Sequence, residues 1–191
     1  VNPNPDLPAD FQQALASLRS ARTRRELKLA EVPAPARLAP YRVAIGAEAV
    51  VHGEETATGR FILLHDPEGS PVWGGTFRIV TYIRAQLEPE MGHDSLLGNV
   101  AWAWLVEALE SAGAKYGNAG GTATRVLSES YGALAGRPDS IDLELRASWT
   151  PCGTSSMANH LEAWSNIVCT FAGLPPLPDG VTLLAPRRKR F

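Results

Sequence analysis

The chain is poor in the residues that staple, anchor or metallate small proteins. Only two of its 191 residues are cysteine, Cys152 and Cys169. Two thiols define no disulfide framework, and a reducing cytoplasm is the simplest setting for them. No apolar stretch approaches the ~20 residues needed to cross a bilayer, so no membrane span is expected. The segment from Val1 to Asp10 has no basic run leading into an apolar one, which predicts no signal peptide there. Cys152, His160 and Cys169 match no zinc-ligand spacing, and Cys169 falls in an apolar helical stretch, so neither metal nor cofactor is predicted. Cys152 with His160 lacks a third orienting group and reads as a loop thiol beside a helix-surface histidine. Gly117-Asn118-Ala119-Gly120-Gly121-Thr122 is rich in glycine, but a phosphate cradle runs strand, loop, helix. Here the order is helix, loop, strand with no lysine following, so the segment reads as a connecting turn.

What remains is an ordinary folded composition. Hydrophobic residues make up 45% and charged residues 20%, which excludes global disorder and suits one domain with appendages. The formal net charge is -2, unevenly spread. Arg19, Arg22, Arg24, Arg25 and Lys28 form one basic cluster, and Arg187, Arg188, Lys189 and Arg190 another, together half of the 18 lysines and arginines. The body between them is acidic, which disfavours a broad polyanion platform but leaves short contacts at the ends.

Periodicity supplies the architecture. Pro8 to Arg22 reads as a short N-terminal helix with Phe11, Ala14, Leu15 and Leu18 on one side. Glu26 to Val32 reads as an edge strand, with charge along one face. Tyr41 to Val51 and Gly59 to His65 follow as strands. Gly46 marks a bulge or a close approach, and Asp66-Pro67-Glu68-Gly69 a turn. Val72 to Glu88 alternates with Phe77, Ile79, Thr81, Ile83, Ala85 and Leu87 on one face and Arg78, Val80, Tyr82, Arg84 and Gln86 on the other, as a half-covered antiparallel sheet requires. Ser95 to Ala112 is an amphipathic helix capped by Gly113, and Thr122 to Tyr131 a strand polar on both faces. Ile141, Leu143, Leu145, Ala147 and Trp149 alternate cleanly with Asp142, Glu144, Arg146 and Ser148. Ser156 to Ala172 is the last helix, directing Leu161, Trp164 and Val168 at the sheet. A strand ending at proline and leading into a tryptophan-bearing helix occurs twice, at Glu88-Pro89 before Trp102 and Trp104, and at Thr150-Pro151 before Trp164. The prediction is an α+β fold: an antiparallel β-sheet with two main helices on one face, a pseudo-repeat of strand–Pro–helix units and the short N-terminal helix. One domain, 1–191, has its core at 24–173, the helix at 8–22 and a Pro-rich, basic tail at 174–191.

The sharpest site expectation is Glu129. Between Arg125 and Tyr131 on a central strand it would need partners, and Arg146 on the adjacent hairpin strand offers one. With Arg78, Tyr82, Arg84, Tyr131 and Arg146 it outlines a polar groove on the side the helices leave open; the plainer account is an exposed face of cross-strand charge pairs. Trp73 and Trp104 are hard to bury with everything else, and exposed indoles favour an interface or homodimer.

Several segments carry a resemblance: 33–41 (PAPARLAPY), 57–61 (ATGRF), 64–67 (LHDP), 87–91 (LEPEM), 134–138 (LAGRP) and 146–151 (RASWTP). Through them residues 24–178 resemble a family of uncharacterised actinobacterial proteins. The resemblance implies an intracellular protein and brings no catalytic residue. Three functions follow. The leading one is a non-catalytic cytoplasmic binding or adaptor protein with a protein partner or a homodimer. The second is an enzyme on a small anionic substrate with Glu129 as acid/base, and the third weak RNA association through the two basic clusters.

Overall fold

The structure, a computed structural model, describes residues 7–51, 53–87 and 94–176. Among them the elements run α1 (Ala9–Arg19), β1 (Leu27–Val32), β2 (Tyr41–Val51), β3 (Glu54–Ser70), β4 (Gly75–Leu87), α2 (Leu97–Ser111), β5 (Tyr116–Ser128), β6 (Ser140–Pro151) and α3 (Met157–Phe171). The six strands form one sheet in the order β1-β2-β3-β4-β6-β5, antiparallel at every pairing. β1 to β4 are a simple meander. The chain then crosses by α2 to the far edge, lays down β5, and returns to insert β6 between β4 and β5. This is the α+β architecture that the alternation demanded, with the helices packed on one face.

The helix-facing rows of the sheet are apolar because alternate residues point one way. Phe61, Leu63, Ile79, Ile83, Leu143, Leu145 and Trp149 are fully buried there, against Leu105 and Leu109 of α2 and Met157, Trp164 and Ile167 of α3. Burying an indole such as Trp149 or Trp164 removes on the order of 200 Å² from water, a gross gain of about 5 kcal/mol. Both main helices approach so closely that a glycine is needed beneath a tryptophan. A Cβ on Gly59 would lie 2.7 Å from the Trp164 ring, and one on Gly121 would lie 2.8 Å from the Trp102 ring.

α2 and α3 also end alike. Gly113 (φ 65°) and Gly173 (φ 75°) take the left-handed conformation, and the next amides, of Ala114 and Leu174, reach back 2.9 Å to the carbonyls of Leu109 and Cys169. These are Schellman caps, which satisfy carbonyls that the helix end would leave open. The second strand–Pro–helix unit runs from β6 through Pro151 into α3; Glu88 and Pro89, the linker of the first, lie outside the described residues. α1 docks by stacking: Phe11 lies 5.8 Å from the His65 ring, which lies 4.1 Å from Phe77. Its Ser17 hydroxyl accepts the Ala158 amide at 3.0 Å, supplying α3 with a cap that its own Ser156 does not provide.

Five expectations need correction. α1 stops at Arg19 rather than Arg22, turning at Ser20. The turn expected at Asp66–Gly69 lies further on: β3 continues irregularly through Gly69 (φ 74°) to Ser70, and the hairpin closes over 71–74 with Trp73 and Gly74 amides on the Ser70 carbonyl. The glycines of 117–121 belong to β5, where Gly121 makes room for Trp102. β5 is an edge strand, not a central one, and ends at Ser128 rather than Tyr131. His160 is fully buried instead of on the helix surface. Gly46 is a close approach, 3.0 Å from a Val32 methyl for an added Cβ, whereas the irregularity in β2 falls at Ala49/Val50.

Candidate functional site

The face without helices carries the polar residues of β4 and β6 in continuous cross-strand rows. One row reads Ala30, Gly46, Arg60, Tyr82, Arg146, Thr122 across all six strands; the next reads Lys28, Glu48, Thr58, Arg84, Glu144, Thr124. Directly opposed side chains on one face lie about 5 Å apart at Cβ, close enough to interact. The Tyr82 hydroxyl donates to Glu144 Oε1 at 2.9 Å, and Arg146 Nη2 donates to Glu144 Oε2 at 2.8 Å. The Arg146 guanidinium also sits 5.4 Å from the centre of the Tyr82 ring, within cation–π range. Burial, with the Glu144 carboxylate as the next cause, raises the Tyr82 pKa above its usual range.

Arg84 Nη2 donates to Asp142 Oδ2 at 2.8 Å, and that hydrogen bond raises the Arg84 pKa. Arg78 makes no ion pair with a described residue. It reaches Ser148 Oγ (2.7 Å), Thr150 Oγ1 (3.0 Å) and the Asn118 carbonyl (2.8 Å), and burial lowers its pKa. Thr150 Oγ1 and Asn118 Nδ2 both donate to the Trp73 carbonyl, so Arg78 knits β4, β6, β5 and the 71–74 hairpin together. Trp73 packs onto a second apolar cluster, Ala44, Ile62 and Leu64, on this same face. Trp104 is half-buried, edge-on to Phe171 at 5.9 Å.

The two ion pairs are asymmetric in what they show to water. The side chains of Arg84 and Arg146 are 53% and 61% exposed, while those of Asp142 and Glu144 are 12% and 16%. The carboxylates lie beneath, and the guanidinium groups stand above them. Such exposed pairs stabilise the fold by well under 1 kcal/mol each; their effect is on the potential of the surface. Arg60, exposed beside Tyr82, adds a further cation. Where Ala30 and Gly46 carry little or no side chain, a hollow of about 270 Å³ opens between Lys28, Glu48 and Arg60.

Of the six residues expected in a groove, Arg78, Tyr82, Arg84 and Arg146 share this face. Glu129 and Tyr131 do not join them. Both are exposed beyond the end of β5, whose last pairing is Ser128 with Ser140, and the residue opposite Arg146 on β5 is Thr122. Asp142, Glu144 and Arg60 were missed as members. The signal lay in their positions on the same alternating face, but pairing β6 with β4 takes the crossover, which local pattern does not reveal.

The first basic cluster loses one member to the interior. Arg24 is buried, clasping Glu26 with three N–H contacts and the Pro175 carbonyl with a fourth (3.1 Å). The Arg24 hydrogen bond holds the Glu26 carboxyl below its usual range. Arg19, Arg22, Arg25 and Lys28 are exposed, with the Arg22 amide donating to Glu162 Oε1 at 2.6 Å. Arg187, Arg188, Lys189 and Arg190 lie outside the described residues. Cys152 is an exposed free thiol, whereas the His160 ring is buried with Nδ1 accepting from Trp149 Nε1 at 3.1 Å; they do not form a nucleophile–base pair. Cys169 is free and buried, its pKa pushed up to about 11 by burial. Among the described residues no three metal-ligating side chains converge, and no helix is long and apolar enough to cross a membrane.

No curated protein and no solved structure matches the chain significantly. A family match does, over residues 7–182, extending on both sides of the 24–178 span read from the sequence. Those residues cover nearly all of the fold just described, and the chain belongs to the DUF3000 family, described as a protein of unknown function.

Proposed function

We propose that this chain is a non-catalytic cytoplasmic binding module that docks an acidic segment of a partner protein along the open face of its sheet. The observation that carries this reading is the layering of charge at Arg84–Asp142 and Arg146–Glu144. The carboxylates are half sunk and the guanidinium groups stand above them, so an approaching chain meets cations first. Arg60 and the adjoining hollow extend that row toward β2 and offer a seat for a side chain of the partner. Guanidinium groups suit such a role because they pair with carboxylates through planar double hydrogen bonds and lose little hydration.

Catalysis draws no comparable support. Both oxygens of Glu144 accept hydrogen bonds from neighbours, so neither waits for a substrate proton. Nucleic acid would favour concentrated positive charge, whereas the chain is net acidic. Two free thiols suit a reducing compartment.

The test places a photo-crosslinking residue at Arg60 in the full chain and irradiates it in native cytosol. The expected product is one polypeptide, joined through an acid-rich segment and diminished about tenfold by Arg84→Gln with Arg146→Gln, which keep hydrogen-bonding capacity but remove charge. Crosslinks to nucleic acid, to a segment without acidic residues, or undiminished by those substitutions would overturn the reading.

A further inference from the structure

The two edges of the sheet are built differently. β1 is short, carries Lys28 and Glu31, and runs into Pro33 and Pro35, all features that discourage pairing. β5 has none of this protection. From Gly120 to Ser128 it holds one charge, Arg125, and no proline. Among the described residues no strand pairs with its outer side. The strand ends with its pairing at Ser128, Tyr131 is again extended (φ -127°, ψ 165°), and Gly132 (φ 61°) turns the chain. At the other end the ladder breaks between Gly117 and Gly120, where Asn118 has a φ of 49°. The paired edge runs from Gly120 to Ser128, and residues 129–131 follow it without a turn; Leu127 and Tyr131 are exposed at 55% and 73%, and Val126 and Leu134 are also open to solvent.

We propose that this edge pairs with the same edge of a second copy, antiparallel about a two-fold axis at Leu127. Antiparallel pairing about an axis normal to the sheet sets residue i against a partner residue fixed by the centre of symmetry, so the charges choose the register. An axis at Arg125 or at Glu129 sets like charges face to face. An axis at Leu127 sets Arg125 against the partner's Glu129 and Glu129 against the partner's Arg125. Opposite charges directly across a pair of strands stabilise it, and like charges destabilise it. Arg125 is already engaged within its own chain, with the Asp94 carbonyl at 2.9 Å among its contacts; a guanidinium carries five N–H groups in a planar fork, and the partner's carboxylate is one more acceptor for it.

The same register lays Leu127 against the partner's Leu127 and Tyr131 over the partner's Ala123. On the open face it sets Val126 beside the partner's Ser128. It thereby covers the apolar side chains that β5 leaves exposed and gives strand partners to the backbone groups along its outer side. A pairing of about nine residues buries less than a standard interface of roughly 1,600 Å² and predicts a weak dimer, of about micromolar affinity. The sheets join into one of twelve strands, twice the six of each copy, with both helix layers on one side.

The experiment uses the full chain, with Cys152→Ser to remove the exposed native thiol. Leu127→Cys is expected to form a disulfide-linked dimer under mild oxidation, whereas Thr122→Cys, which the register sets opposite Gly132 of the partner subunit, is not. In sedimentation, Glu129→Arg and Arg125→Glu each weaken self-association by roughly tenfold or more, and an equimolar mixture of the two restores it as a heterodimer. Glu129 is exposed and makes no ion pair with a described residue, so Glu129→Arg tests the idea even if Arg125→Glu disturbs the fold. A monomer at about 100 μM, well above the affinity expected, would overturn the proposal. So would equal crosslinking from both cysteine positions, or indifference to Glu129→Arg.

Discussion

Lowering the pH from neutrality toward 5 is expected to destabilise the fold through one buried ring. His160 lies between α3 and β6 with no solvent exposure, and its Nδ1 accepts the Trp149 indole hydrogen. That contact requires a neutral imidazole carrying its proton on Nε2, itself buried without a partner. Burial lowers the His160 pKa from 6.5 to about 4. The sign follows. Above the upper value both states are neutral, and no stability depends on pH. Below it the unfolded chain takes up a proton that the native state refuses, so stability falls until the lower value is passed. The full gap corresponds to about 3 kcal/mol, and about 2 kcal/mol of it is lost between roughly pH 7 and pH 5, before most carboxylates titrate. The assay is urea unfolding followed by tryptophan fluorescence at fixed protein concentration across that range, beside His160→Asn. The asparagine amide oxygen stands near the original Nδ1 and keeps an acceptor for Trp149; the variant is less stable at pH 7 by about 1–3 kcal/mol but lacks the histidine's pH slope. A slope equal in both proteins would refute the reasoning, as would a wild-type stability flat to pH 5.

Gly59→Ala is expected to cost about 1–3 kcal/mol in thermal or urea unfolding, since its Cβ would meet the immobile Trp164 ring at 2.7 Å. Gly117→Ala, with nothing within 4 Å, stays within about 0.5 kcal/mol. Thr150→Val removes the hydroxyl joining Arg78 to the Trp73 carbonyl. It is expected to lower stability by about 1–2 kcal/mol and to speed amide exchange at 71–74. A thiol reagent at neutral pH titrates Cys152 at once and Cys169 only on unfolding, because Cys169 is buried and its pKa is raised to about 11.

Strands with one face in water were legible because alternation is a local signal. β4 and β6 both place the foreseen side chains inward, from Phe77 to Ala85 and from Ile141 to Trp149. β5 was legible only in part. An edge strand under a closely packed helix needs Gly121 beneath Trp102; with Gly117 and Gly120 beside it the segment mimics a loop, and nothing in 116–128 alternates clearly. His160 sits four positions before Trp164, a spacing that suits a surface ring beside an indole as well as a buried one; Met157, Leu161 and Val168 bracket the same stripe, and the ring is buried. The candidate site was half legible. Arg78, Tyr82, Arg84 and Arg146 could be grouped as outward-facing, but their partners Asp142 and Glu144 depend on β6 lying beside β4. That adjacency comes from the crossover, and so did the misplacing of Glu129.

The late insertion of β6 between β4 and β5 has a consequence for synthesis. A ribosome delivers β1 to β4, α2 and β5 before it delivers β6. Until residues 140–151 emerge, β4 presents a bare hydrogen-bonding edge and β5 has no neighbour to lie against. α3, whose Trp164 and Ile167 complete the core, emerges later still. A nascent chain halted before about residue 140 therefore exposes one unpaired strand, one bare strand edge and half a hydrophobic layer, the condition that recruits chaperones or seeds aggregation. Folding of this molecule is in effect gated by β6 and α3, and a truncation that removes them should be far more damaging than one that removes α1.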